Sequence, residues 1–331
     1  MTQRVAARAL MAMPDAPLDE LRAVEVPRPV AGPGELLVEV HAAAVTRSDV
    51  LSVIGLMPMT VFPRVPGRDF AGHVIEGPEE LIGTRVWGAG GRELGFTSDG
   101  SHAQVLAVPA DAAVPLPGSL SFDDAAASAS AYFTAHEAIA RAGEIGEGCA
   151  VLVTGAVGAV GTAASSLARQ RGARVIGAVR GPDEVKLADT LGFHAVADTE
   201  RDDLAAVVRA ATGGHGADIA VDTVGGLLLA PVLHCLAVAG GACVISSAPA
   251  TPIGFDALEF YRNDLRLTGL NTGRLDCRRA GEVLRSLAPG FESGSLLVPR
   301  IASRYRLADA AAAYREVQAG AAGRVLLLPQ A

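Results

Sequence analysis

Lysine is nearly absent from this chain: Lys186 stands alone among 28 Lys and Arg residues in a sequence of 331. Acidic residues number 36, and the formal net charge is −8. No long run of like charge interrupts the sequence, which argues against nucleic acid or an anionic membrane surface as partner. Cysteine is also scarce. Cys149, Cys235, Cys243 and Cys277 are widely spaced, which suits reduced thiols in a cytoplasm better than a disulfide framework. No apolar stretch approaches the roughly 20 residues of a membrane span. The N-terminal stretch lacks an apolar core followed by a cleavage site, so no secretory leader is expected. Internal repeats and low-complexity tracts are missing too.

Half of the residues are hydrophobic, ample for two cores in a chain of this length. The most informative segment is Val151-Leu-Val-Thr-Gly-Ala-Val-Gly-Ala-Val-Gly161. An apolar run ends in close glycines, and the small-residue helix pattern Thr162-Ala-Ala-Ser-Ser-Leu-Ala-Arg-Gln follows at once. Strand, tight turn, helix is the order a dinucleotide pyrophosphate requires. Gly155, Gly158, Ala159, Val160 and Gly161 are its candidate phosphate cradle. The usual first glycine of G-x-G-x-x-G is Ala156 here, with Gly155 one place earlier. Taken alone, such a turn is weak evidence.

The segments downstream strengthen it. Arg174–Val179 reads as a strand, Asp183–Leu191 as a helix, Ala195–Ala197 as a strand and Asp202–Ala211 as a helix. Asp218–Asp222 reads as a buried strand, Leu227–Ala237 as a helix and Ala242–Ser246 as a further strand. Alternation of this kind predicts βαβ units and a doubly wound parallel sheet of the Rossmann type. The flanks differ. Gly34–Ala42 and Ser101–Val108 alternate with the period of half-buried strands, and Pro and Gly punctuate often, as in a small mainly-β domain. A helix is expected near Asp309–Ala319 and a last strand from Arg324. The expected organisation is a catalytic β domain over residues 1–120, a nucleotide domain over 121–265, and a return to the first domain over 266–331.

Several pieces, in order and spacing, resemble one family. They are Val65-Pro-Gly-Arg-Asp-Phe-Ala-Gly72, Ser119-Leu-Ser-Phe-Asp-Asp-Ala-Ala-Ala, Phe133-Thr-Ala-His-Glu-Ala, the glycine turn, Asp222-Thr-Val-Gly-Gly226 and Ala322-Gly-Arg-Val-Leu-Leu. Together they resemble the medium-chain dehydrogenase/reductase superfamily, and within it the zinc-free quinone oxidoreductases related to zeta-crystallin. The resemblance implies a Rossmann domain inserted into a split GroES-like catalytic domain, a homodimer, and NADPH-dependent reduction of quinones or activated alkenes. Alternatives are a pathway-specific enoyl reductase and an NADPH-binding protein with little activity.

The resemblance also bears on metal. In zinc-dependent relatives the first cysteine ligand falls where Thr46 stands, and the His-Glu pair corresponds to Arg68-Asp69. An arginine at a ligand position repels a cation, and a cluster of four cysteines for structural zinc is missing. The seven histidines, at 41, 73, 102, 136, 194, 215 and 234, contain no H-x-x-x-H pair. No metal is expected.

An NAD site places Asp or Glu about 20 residues past the glycines, on the ribose 2′-OH. That place holds Val179-Arg180-Gly181, and the arginine fork suits a 2′-phosphate. NADPH is therefore expected. Relatives often carry a lysine a few residues on, and Lys186 stands about two positions from that place. Hydride transfer belongs to the cofactor, and the protein supplies donors for the charge that builds on a carbonyl oxygen. Enoyl reductases of the superfamily often place a tyrosine proton donor in the loop that corresponds to Ile54–Met59, which contains none. Thr46, Thr134 and Tyr132 are the remaining catalytic candidates. The resemblance puts Thr134, Thr223, Val224, Gly225 and Ser246 by the nicotinamide. Met57, Met59 and Phe62 are candidates for an apolar pocket that takes a flat conjugated carbonyl compound or quinone.

Overall fold

The computed structural model describes residues 6–14, 17–247 and 252–331. Residues 1–5, on which the expectation of no leader rests in part, lie outside the described residues. The first stretch carries β1 (Ala6–Met11), β2 (Arg22–Pro27), β3 (Glu35–Val45), α1 (Arg47–Val53), β4 (Asp69–Glu76), β5 (Arg85–Ala89), β6 (Val105–Pro109), β7 (Val114–Pro115) and α2 (Phe122–Ala142). The middle carries β8 (Ala150–Thr154), α3 (Ala159–Gln170), β9 (Arg174–Val179), α4 (Gly181–Ala188), β10 (Ala195–Asp198), α5 (Leu204–Ala211), β11 (Ala217–Asp222), α6 (Leu229–His234), β12 (Leu236–Val244), α7 (Ala257–Arg262) and β13 (Arg266–Gly269). Last come α8 (Cys277–Glu292), β14 (Ile301–Arg306), α9 (Ala310–Ala319) and β15 (Arg324–Leu328).

Two compact units result. One runs up to Phe133 and includes Thr272–Gly294 and Val298–Ala331; the other is Thr134–Asn271 with Ser295–Leu297. The boundaries differ from the expected 120/121 and 265/266. Helix α2 carries the chain across the first of them, and β13 pairs with β12 in the sheet of the second unit, so that unit extends to Asn271. Among the described residues no helix is long and apolar enough to cross a membrane.

The first unit is a GroES-like, mainly antiparallel sheet in the order β14-β15-β3-β4-β5-β7, with β6 also on β3. Strand β3 is buried from Leu36 to Val38, alternates from there to His41, and is buried throughout from Ala42 to Val45, where β15 covers its end. Leu36, Val38, Phe70, Leu106 and Val108 fill one core, and Leu10, Val50, Val53, Tyr314 and Leu327 fill another. His102 ties strand to helix in this second region. Its Nε2 lies 3.2 Å from the Ala44 carbonyl and its Nδ1 2.8 Å from the Tyr314 hydroxyl. A carbonyl only accepts, so Nε2 carries the proton and Tyr314 donates to Nδ1.

This fully buried imidazole is thus neutral, and burial lowers its pKa from the ordinary 6.5. The folded state then binds fewer protons than the unfolded state below pH 6.5. The stability is present above that value and is lost as pH falls, by about 1.4 kcal/mol per pH unit for one such proton. His102→Gln should flatten this part of the profile in urea melts between pH 7.5 and 5.5. An unchanged pH dependence would contradict the assignment.

The second unit is a six-stranded sheet in the order β10-β9-β8-β11-β12-β13, with every adjacent pair parallel. Numbered within the unit this is 3-2-1-4-5-6, the doubly wound dinucleotide order, whose ligand crevice opens at the carboxyl ends of the first and fourth strands. Those strands are β8 and β11. One local expectation is corrected: the helix predicted over Leu227–Ala237 stops at His234, because Leu236 already pairs with Ala217 on β11.

Candidate functional site

Strand β8 is buried at every position and ends at Gly155, whose φ of +55° lies in the left-handed region that glycine enters without strain. The chain then turns so tightly that a Cβ on Gly161 would stand 2.2 Å from the Gly155 carbonyl oxygen and 2.8 Å from the Ala156 Cα. Only glycine permits that approach of α3 to the turn. Gly158 is different: it is exposed, its φ is −71°, and a Cβ there would meet just the Gly155 oxygen at 3.1 Å. Gly158 caps α3 without a side-chain hydrogen bond, and the first turn holds no acidic residue. Within the helix, the first N–H groups, those of Ala159, Val160 and Gly161, have no carbonyl to meet. The result is a helix terminus with open donors and a positive dipole end, suited to a phosphate.

Side chains bind the ends of β8 and β11 together. The fully buried Asp222 accepts through Oδ1 from the Thr154 hydroxyl at 2.6 Å and from the Gly225 and Val224 N–H groups at 2.9 and 3.1 Å. Thr223 donates its hydroxyl to the Thr154 carbonyl at 2.7 Å. Gly225, with φ +65°, lies so close to the chain after β12 that a Cβ would sit 2.0 Å from the Ser246 carbonyl oxygen. The turn Thr223–Gly225 and Ser246 therefore meet at the carboxyl ends of β11 and β12, and β11 is the neighbour of β8.

Arg180 directly follows β9, the other neighbour of β8. It is exposed, it caps α4, and its N–H donates to Glu184 Oε2 at 2.8 Å. Its guanidinium has no hydrogen-bond or ion-pair partner among the described residues. The next N–H, that of Gly181, is taken by Asp198 Oδ1 at 2.8 Å. Lys186 lies in the last turn of α4, largely exposed and 3.7 Å from Asp183. An exposed pair of this kind is weak and leaves the ammonium free to exchange Asp183 for a phosphate. Thr134 is half-buried within α2 and belongs to the second unit.

In the first unit, Thr46 is the N-cap of α1 in a capping box with Asp49. Its hydroxyl donates to Asp49 Oδ2 at 2.6 Å and lies 2.8 Å from Ser48 Oγ. Arg68 then donates to Ser48 Oγ at 3.2 Å and to the Gly90 and Gly91 carbonyls at 2.7 and 3.1 Å. The donors run one way, from Arg68 to Ser48 to Thr46 to Asp49. Such a chain is polarised along its length. Ser48 and Asp49 are not singled out by the sequence, though both lie within three residues of Thr46. Asp69 is fully buried beside the chain and is held by Ser130 at 2.6 Å and Arg324 at 3.0 Å. Burial raises its pKa, a shift that Arg324 and Ser130 oppose.

Tyr132 is corrected as a catalytic candidate: it is fully buried, with its ring 4.7 Å from that of Phe291, and is a core residue. Phe62 is half-buried and packs against the Leu10–Val50 core. Met57 and Met59 are half-buried in the loop after α1.

The zinc that many relatives of this fold carry does not fit these residues. Where the resemblance puts its ligands stand a hydroxyl committed to a helix cap and a buried guanidinium. Burial lowers the pKa of Arg68, with Asp49, Asp69 and Glu93 opposing, and a guanidinium keeps its charge in proteins. A dication would meet a fixed positive charge.

A family model described as "Zinc-binding dehydrogenase" matches residues 159–286, and one described as "Alcohol dehydrogenase GroES-like domain" matches residues 32–118. A zinc-type alcohol dehydrogenase-like protein of Schizosaccharomyces pombe is 37% identical over 282 residues, covering 84% of this chain and 82% of the relative. The quinone oxidoreductase of Rattus norvegicus is 28% identical over 314 residues, 92% of each chain. A mycobacterial protein solved in complex with NADPH superposes with a TM-score of 0.83 and 27% identity, over 98% of this chain and 100% of that one.

The chain belongs to the medium-chain dehydrogenase/reductase superfamily. Within it, the chain is of the zinc-free quinone oxidoreductase type, an oxidoreductase that works with a nicotinamide cofactor.

Proposed function

We propose that the protein is an NADPH-dependent, metal-free reductase of quinones or α,β-unsaturated carbonyl compounds. The observation that carries the cofactor assignment is Arg180, a cation with no side-chain partner among the described residues, directly after the strand beside β8, where an NAD site would hold an acid. In this reading the N–H groups of Ala159, Val160 and Gly161 bind the pyrophosphate. Arg180 binds the 2′-phosphate, and Thr134, Thr223–Gly225 and Ser246 border the nicotinamide. The quinone oxidoreductase among the relatives and the NADPH complex among the solved structures support it.

When bound, the nicotinamide supplies a hydride. The work left to this chain is to hold the acceptor and to stabilise the charge that builds on its carbonyl oxygen. We assign that oxygen to the hydroxyl pair Thr46 and Ser48. The Arg68 guanidinium makes the Ser48 end of the chain electropositive. Thr46 donates to Asp49 in the free protein, so a bound carbonyl competes with Asp49 for that proton. The loop 54–59 holds no tyrosine, and water delivers the final proton, to the α-carbon of an enone or to the oxygens of a reduced quinone.

Deuterium transfer from 4-labelled NADPH to an enone tests this chemistry. The account expects label on the β-carbon of a saturated ketone. Label on the carbonyl carbon of an allylic alcohol would indicate alcohol dehydrogenase chemistry and overturn it. Turnover of one enoyl thioester with none of simple quinones would instead favour a pathway enoyl reductase.

A further inference from the structure

We infer that Glu39, His41 and His73 form a site for a borderline divalent cation such as Zn²⁺, on the first unit and apart from the Thr46–Arg68 chain. Among the described residues these three make the one group of His, Cys, Asp and Glu whose ligand atoms all lie within 4.8 Å of one another. Sequence spacing hides the group. Glu39 and His41 are two apart on β3, whereas His73 lies on β4, opposite Glu39 in the strand register.

The backbone accounts for the convergence. Val40 pairs with Gly72 and Ala42 with Ala71, so His41 is an extra residue on β3. A bulge of this kind re-aims a side chain. Here it directs His41 Nε2 to 3.0 Å from Glu39 Oε2 and 3.2 Å from His73 Nδ1. Metal–ligand bonds of about 2.0–2.1 Å give a tetrahedral edge of about 3.3 Å, close to both separations.

Hydrogen bonding alone serves this arrangement poorly. If His41 Nε2 is protonated, its single hydrogen is shared between Glu39 and His73 or leaves one of them facing it unbonded. If Nε2 is unprotonated, its lone pair faces the Glu39 carboxylate. A cation at the centre accepts all three lone pairs at once. Both rings are also held in place. His41 stacks on Phe122 with centroids 4.7 Å apart, and His73 meets the same ring edge-on at 5.0 Å.

Two neutral imidazoles and one carboxylate match the ligand types of zinc sites that keep a fourth position open. The charge opposing a cation is Arg85, whose guanidinium lies 4.9 Å from the Phe122 ring and donates to the Leu120 carbonyl at 2.7 Å. Arg85 is thus turned to the Phe122 ring and the Leu120 carbonyl, whereas the Glu39 carboxylate is itself one of the three ligands. Bound metal would clip β3 to β4 across the bulge.

The test is calorimetric titration of Zn²⁺ into untagged, chelator-stripped full-length protein, with Co²⁺ absorption as a second readout. The expected result is a single saturable site and tetrahedral Co²⁺ bands. Both should be lost in His41→Ala and in His73→Ala and weakened in Glu39→Gln, with circular dichroism unchanged. Zn²⁺ should raise the Tm of the parent but not of these variants. The exposed pairs His215–Asp218 and His234–Glu259 provide the control. Binding that survives both β-strand variants, or that is removed by His215→Ala or His234→Ala, would overturn the assignment. Absence of saturable binding to the parent protein would overturn it equally.

Discussion

Alanine at position 161 is expected to destabilise the protein by about 3 kcal/mol, the upper part of the overpacking range. The added Cβ would stand 2.2 Å from the Gly155 carbonyl oxygen, with Ala156 backbone atoms at 2.8 and 2.9 Å. Those obstacles are main chain and have no rotamer by which to yield. Gly155 is itself fixed by its left-handed φ and by Thr223, whose Oγ1 lies 2.5 Å from the Cβ position of that glycine. Relief therefore requires α3 to move off the end of β8, which displaces the helix terminus that should bind phosphate. Gly158→Ala separates the two roles. Its backbone is ordinary and its Cβ would meet one oxygen at 3.1 Å, so stability should change by about 1 kcal/mol or less. NADPH affinity should nonetheless fall, because the new methyl stands where the phosphates approach. Urea melts with NADPH titration of both variants check this. Equal stability loss in the two would contradict the division.

The second large effect concerns Arg180. Its replacement by alanine should weaken NADPH by about 1.5–3 kcal/mol, the worth of a charge-assisted hydrogen bond. NADH affinity should be unchanged. Among the described residues the guanidinium has no partner to release, and the bond to Glu184 is made by the Arg180 backbone N–H and survives the substitution. A selective loss therefore reports the 2′-phosphate itself. Arg180→Lys should restore part of the affinity, since a point charge replaces a planar fork. Fluorescence titration with the two cofactors reads the outcome. Equal losses for NADPH and NADH would show that Arg180 is no 2′-phosphate ligand.

Both of these predictions fall on residues that the sequence already marks. The run from Val151 to Gly161 was legible because strand, turn and helix are written in consecutive residues. Arg180 was legible because its distance from the glycines is set by one βαβ unit. What depends on packing at long sequence separation was not legible. Tyr132 carries a hydroxyl and precedes a recognised motif, yet the ring of Phe291, far along the chain, encloses it. Strand β13 is only four residues long, too short for a periodicity to claim it for the parallel sheet, so the domain boundary was set early. The Ser48–Thr46–Asp49 chain depends on a guanidinium twenty residues downstream. The Glu39–His41–His73 group depends on a bulge, which no spacing rule within one strand reveals.

The central claim is metal-free, NADPH-dependent reduction of a conjugated carbonyl compound. It is tested most directly by following NADPH absorbance with chelator-stripped protein and a panel of quinones and enones. The same chelator empties the cation site inferred on β3 and β4, so retained turnover also separates that site from the chemistry. The account predicts substrate-dependent loss of NADPH that added Zn²⁺ does not accelerate. Tight NADPH binding with no turnover across the panel, or turnover that appears only when zinc is restored, would contradict it.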